Sequence, residues 1–253
     1  MKGYKRVAAY VDLDAIEDNF EAMKANLKEK TRIAAVVKAN GYGHGAAPIA
    51  RMIEKKDYLW GFAAATIEEA AELRRNGIQK PILILGYVFP EDYEELVRLD
   101  IRPTVFRLDM AKELSAEAVR QQKEVSVHIK VDTGMSRIGF ADTKESVQDV
   151  CAISKLPGIR MEGLFTHFAK SDELDKAATE KQLARYCAFR EACEAAGVKF
   201  QIHHCSNSAG IIDLPEANLD MVRAGITVYG LYPSDEVKKE LVPLRPAMEM
   251  KSH

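Results

Sequence analysis

The sequence predicts an α/β fold, a closed (β/α)8 barrel of parallel strands. Three observations point there. Short runs rich in Val, Ile, Phe and Ala alternate with helix-like stretches along the chain. Such alternation calls for a parallel sheet with helices packed on it. Eight of these units in 253 residues match a TIM barrel in count and size. Several runs, Ile33–Val37 among them, are apolar at consecutive positions, as strands buried on both faces require. Periodicity alone leaves an open doubly wound sheet as the alternative.

The elements follow in order. A first apolar run, Val7–Leu13, precedes the eight. Ile16, Phe20, Met23 and Leu27 then recur at helical spacing, with Asp14 as the expected N-cap and Glu17 three residues on. The eight strand candidates are Ile33–Val37, Gly61–Ala65, Pro81–Leu85, Arg102–Phe106, Val125–Val131, Met161–Thr166, Gln201–Ser206 and Leu219–Ala224. Between them, Thr66 and Glu69 form a capping-box pattern, and Asn76-Gly77 is a stop signal. Thr179–Ala196 reads as a long amphipathic helix ending at Gly197. The interval from Ser208 to Asn218 leaves room for a helix of a turn or two. Pro246–His253 reads as the opening of one more strand that breaks off.

Lys plus Arg total 36 against 38 Asp plus Glu, so charge gives no reason to expect nucleic acid or an anionic membrane as partner. Cys151, Cys187, Cys193 and Cys205 form no Cys-x-x-Cys pair, which argues against a disulfide scaffold or a structural zinc site. A reducing, cytoplasmic home is expected. Asp12 and Asp14 interrupt the first apolar run, so no signal peptide is visible, and no run is long enough to span a bilayer.

In a barrel, chemistry belongs at the C-terminal ends of the strands. Lys38 directly follows the first of the eight runs. A lone lysine there more often packs its stem and sends its amine to water, but it can also serve as a nucleophile. Gly41–Ala46 fits the loose nucleotide fingerprint G-x-G-x-x-A, although Lys38-Ala39-Asn40 separates it from its strand. Lys130 and Asp132, His167, Asn207 and Ser208, and Arg223 close later runs.

Lys38-Ala39-Asn40-Gly41-Tyr42-Gly43-His44-Gly45 strongly resembles the pyridoxal-phosphate attachment motif of alanine racemases. Further blocks resemble that family in order: Val11–Ile16, Lys130–Gly139, Gly163–Phe168, His204–Ala209 and Met221–Gly230. The resemblance covers nearly the whole chain. It implies that residues 1–235 form the cofactor-binding barrel and 236–253 a link toward a C-terminal β domain. It implies interconversion of L- and D-alanine, a supply of D-alanine for peptidoglycan, in a homodimer.

By the same resemblance, Lys38 holds pyridoxal 5'-phosphate covalently and exchanges the substrate α-proton on one face. Tyr42, Ser208, Gly225 and Ile226 surround the phosphate, and Leu85 and Asn207 line the cofactor. Arg223 faces the pyridine nitrogen and His167 orients it. Arg137 lies near the phenolic oxygen and the substrate carboxylate, held by Lys130, which is carbamylated in many members. The proton donor for the other face is a tyrosine of the β domain, so this chain alone is expected to be impaired.

Other readings are weaker. A stand-alone cofactor-homeostasis barrel shares the lysine, but Lys130–Gly139 and Met221–Gly230 fit the racemase better, and serine is the rival substrate. A carbamylated-lysine metallohydrolase needs a His-x-His pair that none of the six histidines forms, so no metal is expected. His203 and His204, adjacent in a strand, must point to opposite faces.

Overall fold

A computed structural model describes residues 6–252. Eleven strands are present in them: β1 Val7–Val11, β2 Arg32–Val36, β3 Leu59–Ala64, β4 Ile82–Ile84, β5 Arg102–Val105, β6 Val125–Asp132, β7 Phe140–Ala141, β8 Ile159–Phe165, β9 Ile202–His204, β10 Met221–Ala224 and β11 Met248–Ser252. Eight of them pair in parallel in the order β10-β2-β3-β4-β5-β6-β8-β9. The ring closes between β9 and β10, where Asp220 N–H donates to the His203 carbonyl (3.2 Å) and Arg223 N–H to the Ser206 carbonyl (3.0 Å). Each of the eight runs expected from the sequence carries one barrel strand, so the closed barrel, not the open sheet, is the fold.

Side chains alternate along each strand, so every second residue enters the lumen. At one level Ala34, Trp60, Leu83, Ile202 and Met221 pack together as an apolar plug with Leu85 against it. A larger apolar layer lies between strands and helices, where Ile16, Phe20 and Met23 are fully buried. Removing one such side chain, as in Phe20→Ala, costs about 3–5 kcal/mol by the usual cavity argument.

Local details depart from the sequence reading in three places. The first helix spans Leu13–Ala25, and its N-cap is Asp12, whose carboxylate accepts from Ala15 N–H at 3.0 Å. Asp14 is inside the first turn, because β1 ends at Val11 and not at Leu13. Thr66 does cap the helix Ile67–Arg75, but Glu69 does not return to Thr66, as described below. β7, two residues beside β6, had no signal in the sequence. The long helix is Ala177–Ala195, with Gly197 beyond it at φ +91, and the short one is Ser208–Asp213.

The last strand expected from Pro246 onward is β11. It pairs antiparallel with β1 as a two-stranded ribbon, apart from the barrel sheet; His253 lies outside the described residues. No described helix is long and apolar enough to cross a membrane.

Candidate active site

Lys38 leaves β2 into a turn over Lys38–Tyr42 in which Ala39, Asn40, Gly41 and Tyr42 all have positive φ, between 50° and 63°. Three of these carry side chains, and each such residue costs on the order of 1–3 kcal/mol unless its surroundings hold it. Here they do. Gly41 N–H donates to Val37 O, Gly45 N–H to Asn40 O, and Ala46 N–H to the Asn40 side chain. The Glu69 carboxylate accepts from Ala39 N–H with one oxygen and from Ala65 N–H with the other, both at 2.7 Å. That explains why Glu69 abandons the capping box. A left-handed turn also replaces the tight strand-to-helix turn of a dinucleotide loop, which removes that reading of Gly41–Ala46. The Lys38 side chain is half-buried, not sealed in the strand layer, and its amine lies 5.7 Å from the Tyr42 ring centre.

Across the barrel mouth, Arg223 is buried and its guanidinium is held from several sides. Nη1 donates to His204 Nδ1 (2.8 Å) and to the His204 carbonyl (3.1 Å). Nη2 donates to the Thr166 and Cys205 carbonyls and meets His167 Nδ1 at 3.2 Å. Among the described residues Nε alone has no acceptor. Burial pushes the arginine down to about 10, which still leaves it charged at neutral pH. Burial, then the charges of Arg223, Arg137, Lys130 and Lys38, push His167 down to about 2, so it accepts from Arg223 as a neutral ring.

A third group of donors sits beside the turn. Ser208 Oγ accepts from Gly225 N–H (3.1 Å) and pairs with Thr227 Oγ1 (3.0 Å). Ile226 opens a 3-10 turn, Ile226–Tyr229, so its N–H has no partner within it. A Cβ on Gly225 would stand 3.5 Å from Ser208 Oγ and 3.9 Å from the Tyr42 hydroxyl, narrowing the space they share. Tyr42 is itself braced by Tyr229, ring centres 5.1 Å apart. Asn207 has a local job as well: its side chain caps the helix Ser208–Asp213 through Gly210 N–H.

Arg137 sits on the loop after β6. Asp132 holds that loop by accepting from the N–H groups of Gly134, Met135 and Arg137 at 2.8–3.0 Å. Lys130 is buried, its ammonium donating to Val131 O (3.0 Å), and it makes no bond to Arg137. Burial, reinforced by the Arg223 and Arg137 charges and opposed by Asp132, pushes Lys130 down to about 8.

Lys38, Tyr42, Leu85, Lys130, Arg137, His167, Asn207, Ser208, Arg223, Gly225 and Ile226 line one cavity of about 570 Å³. Every site residue expected from the sequence is therefore brought to it. Tyr87, Met135, Phe165 and Asp172 also line it and were not foreseen. Nor were the partners of Arg223 on the barrel side, His204 and, through it, His128. Among the described residues no group of three His, Cys, Asp or Glu side chains could hold a metal ion.

The family profile described as alanine racemase, N-terminal domain, matches residues 11–233. The chain belongs to that family. An alanine racemase from Clostridium perfringens is 47% identical over 98% of this chain, and one from Desulforamulus reducens 43% identical over 96%. The chain spans 66% and 64% of the lengths of the Desulforamulus and Clostridium relatives. Among solved structures, alanine racemase from Clostridium difficile 630 superposes with a TM-score of 0.96 at 44% identity, over 98% of this chain and 64% of that one. The alanine racemase barrel is thus both its sequence family and its fold.

The donor set also fits the cofactor that the resemblance implies. A primary amine, a cationic Nε–H without a protein acceptor, and a cluster of hydroxyl and backbone N–H donors converge on one cavity. Those are the groups that an aldehyde, a pyridine nitrogen and a phosphate call for.

Proposed function

We propose that this chain is the cofactor-binding barrel of a pyridoxal-phosphate-dependent racemase that interconverts L- and D-alanine. The observation that carries the reading is the meeting of the Lys38 amine, the free Nε–H of Arg223 and the Ser208 hydroxyl and Ile226 N–H beside Gly225 in one cavity. Tyr42, Ser208, Gly225 and Ile226 would hold the phosphate, and Leu85 and Asn207 would flank the ring. The chemistry that pyridoxal phosphate supplies when bound is a sink for negative charge at the substrate α-carbon.

The protein's own part is orientation and proton movement. Arg223 is charged and can only donate, so it would keep a pyridine nitrogen set against it unprotonated and would temper the electron sink. His167 and Arg137 set the arginine and the substrate carboxylate. Lys38 carries the α-proton on its own face. The resemblance assigns the other face to a tyrosine of a following β domain, in a homodimer. Cytoplasmic supply of D-alanine for peptidoglycan is the role such an activity serves.

The test is to mix the chain with pyridoxal phosphate, reduce with borohydride and map the modified lysine by mass spectrometry. Stoichiometric labelling at Lys38 is expected. No label there, in a chain that circular dichroism shows to be folded, would overturn the cofactor assignment.

A further inference from the structure

Arg223 is a buried cation with no carboxylate in contact with it among the described residues. The nearest negative charge along its hydrogen bonds lies deep in the barrel lumen. Arg223 Nη1 meets His204 Nδ1 at 2.8 Å. His204 Nε2 meets His128 Nδ1 at 2.9 Å. His128 Nε2 meets Glu162 Oε2 at 3.0 Å. Arg102 Nε stands 3.4 Å from the same Glu162 oxygen and makes no hydrogen bond of its own.

Both histidines are fully buried and Glu162 nearly so. Polar groups placed this deep are costly unless every member is satisfied. The packing accommodates them closely. Phe165 stacks flat on His204, ring centres 4.6 Å apart, and Trp60 lies against His128. Gly163 is glycine for the same reason: a Cβ there would fall 2.3 Å from His128 Nδ1.

The two ends of the chain fix its direction. An arginine can only donate and an ionised carboxylate can only accept. His204 Nδ1 must therefore be an acceptor, which puts its proton on Nε2. That proton goes to His128 Nδ1, which puts the His128 proton on Nε2, facing Glu162. One arrangement satisfies all four residues, with both rings neutral. Burial drives both histidines below their ordinary value. Burial would raise the Glu162 carboxyl, but the bond from His128 and the charges of Arg102 and Arg160 outweigh it.

The geometry points to Glu162 as a positioning residue for Arg223: through His128 and His204 it engages Nη1 and leaves Nε–H for the cavity. A carboxylate at one end polarises each imidazole toward the other, so the bond to Arg223 is stronger than a neutral imidazole alone would make. The link to the cofactor rests on the function proposed above. The relay itself does not.

The test reads the relay directly. In the full chain labelled with 15N-histidine, two-bond proton–nitrogen correlations at pH 7.5 should show His128 and His204 each as the neutral Nε2–H tautomer. An imidazolium or an Nδ1–H tautomer at either position overturns the proposal. Glu162→Leu removes the acceptor; Arg223 still holds both rings as Nε2–H, but the His204 Nε2 proton should move upfield as the polarisation is lost. A His204 Nε2 proton that stays put in that folded variant assigns the bond's strength to Arg223 alone and rejects the role of Glu162. Glu162→Gln keeps an oxygen but no charge, and decides the matter if the leucine variant does not fold. It should retain the tautomers while the His204 Nε2 proton moves upfield, and a resonance that stays put overturns the polarisation.

Pyridoxal-phosphate affinity should fall about tenfold in Glu162→Leu, the equivalent of one charge-assisted hydrogen bond at its lower bound. An upfield shift with unaltered affinity would show that the relay does not serve the cavity. Pinned tautomers in a chain that binds no pyridoxal phosphate would sink the functional reading and leave the relay standing.

Discussion

Lys130 and Arg137 both face the cavity as cations, and they do not touch. Two like charges lining one cavity repel, and the amine chemistry of Lys130 offers a way to relieve them. Pushed down to about 8, Lys130 exposes free amine where an ordinary lysine stays charged. Free amine adds carbon dioxide: an N–C bond forms, a proton leaves to solvent, and a carbamate anion replaces the ammonium. The repulsion toward Arg137 then becomes attraction. With 13C-bicarbonate, a carbamate carbon resonance is expected that disappears in Lys130→Arg. The sign follows from the proton: labelling should rise from pH 7 to pH 9, as the amine form grows. No resonance at pH 9 would remove the carbamate from this site. At this scale the sequence showed much. Every site residue assigned through the resemblance reaches the cavity, and the adjacency of His203 and His204 placed them on opposite faces, one toward Tyr186 and one toward Arg223. The relay stayed hidden because period two tells which way a side chain points, not which strand it meets across the lumen.

Strand positions and helix faces were readable because burial on both sides of a parallel strand leaves unbroken apolar runs. The turn after β2 was not. Nothing in Lys38–Tyr42 announces four successive left-handed residues, since only one of them is glycine. The sequence assigned Glu69 to its own helix. The structure spends it on Ala39 and Ala65, joining the turn that carries Lys38 to the end of β3. Glu69→Ala would leave two backbone donors without acceptors. It should cost about 2 kcal/mol of stability, and the strained turn should relax first. Thermal melts measure the first effect, and hydrogen exchange at Ala39 the second. Glu69→Gln, with one oxygen left to accept, should fall between. If Glu69→Ala melts like the parent and Ala39 stays protected, the clamp is not what holds the turn.

Taken whole, the barrel gathers its protonatable groups in one cavity, whereas the racemisation proposed above needs one on each face of the α-carbon. In the function proposed above, Lys38 would serve one face of the α-carbon, and the resemblance puts the partner acid on a domain outside residues 1–235. The 253-residue chain assayed alone should therefore turn over alanine about 10²–10⁴-fold more slowly than a two-domain relative, the usual worth of one acid/base. Equal turnover would mean that a group within this chain serves the second face. The same economy of charge has a consequence for stability. His128 and His204 are fully buried and neutral, and their folded values lie below the ordinary 6.5. Below that pH the unfolded chain binds protons that the folded chain refuses, so acid favours unfolding. Stability should be flat from pH 8 to 7 and then fall, by up to about 1.4 kcal/mol per pH unit for each histidine. Between pH 6.5 and 5 the two together cost up to about 3 kcal/mol. Glu162 adds to the loss at lower pH, because its carboxyl is held below the usual value and must be ionised to anchor the relay. Urea titrations at pH 8, 6.5 and 5 would measure the slope. A stability that does not change across that range would mean that the two rings accept protons in place, which the donors of Arg223 at one end and the hydrogen-bond direction set by Glu162 at the other forbid.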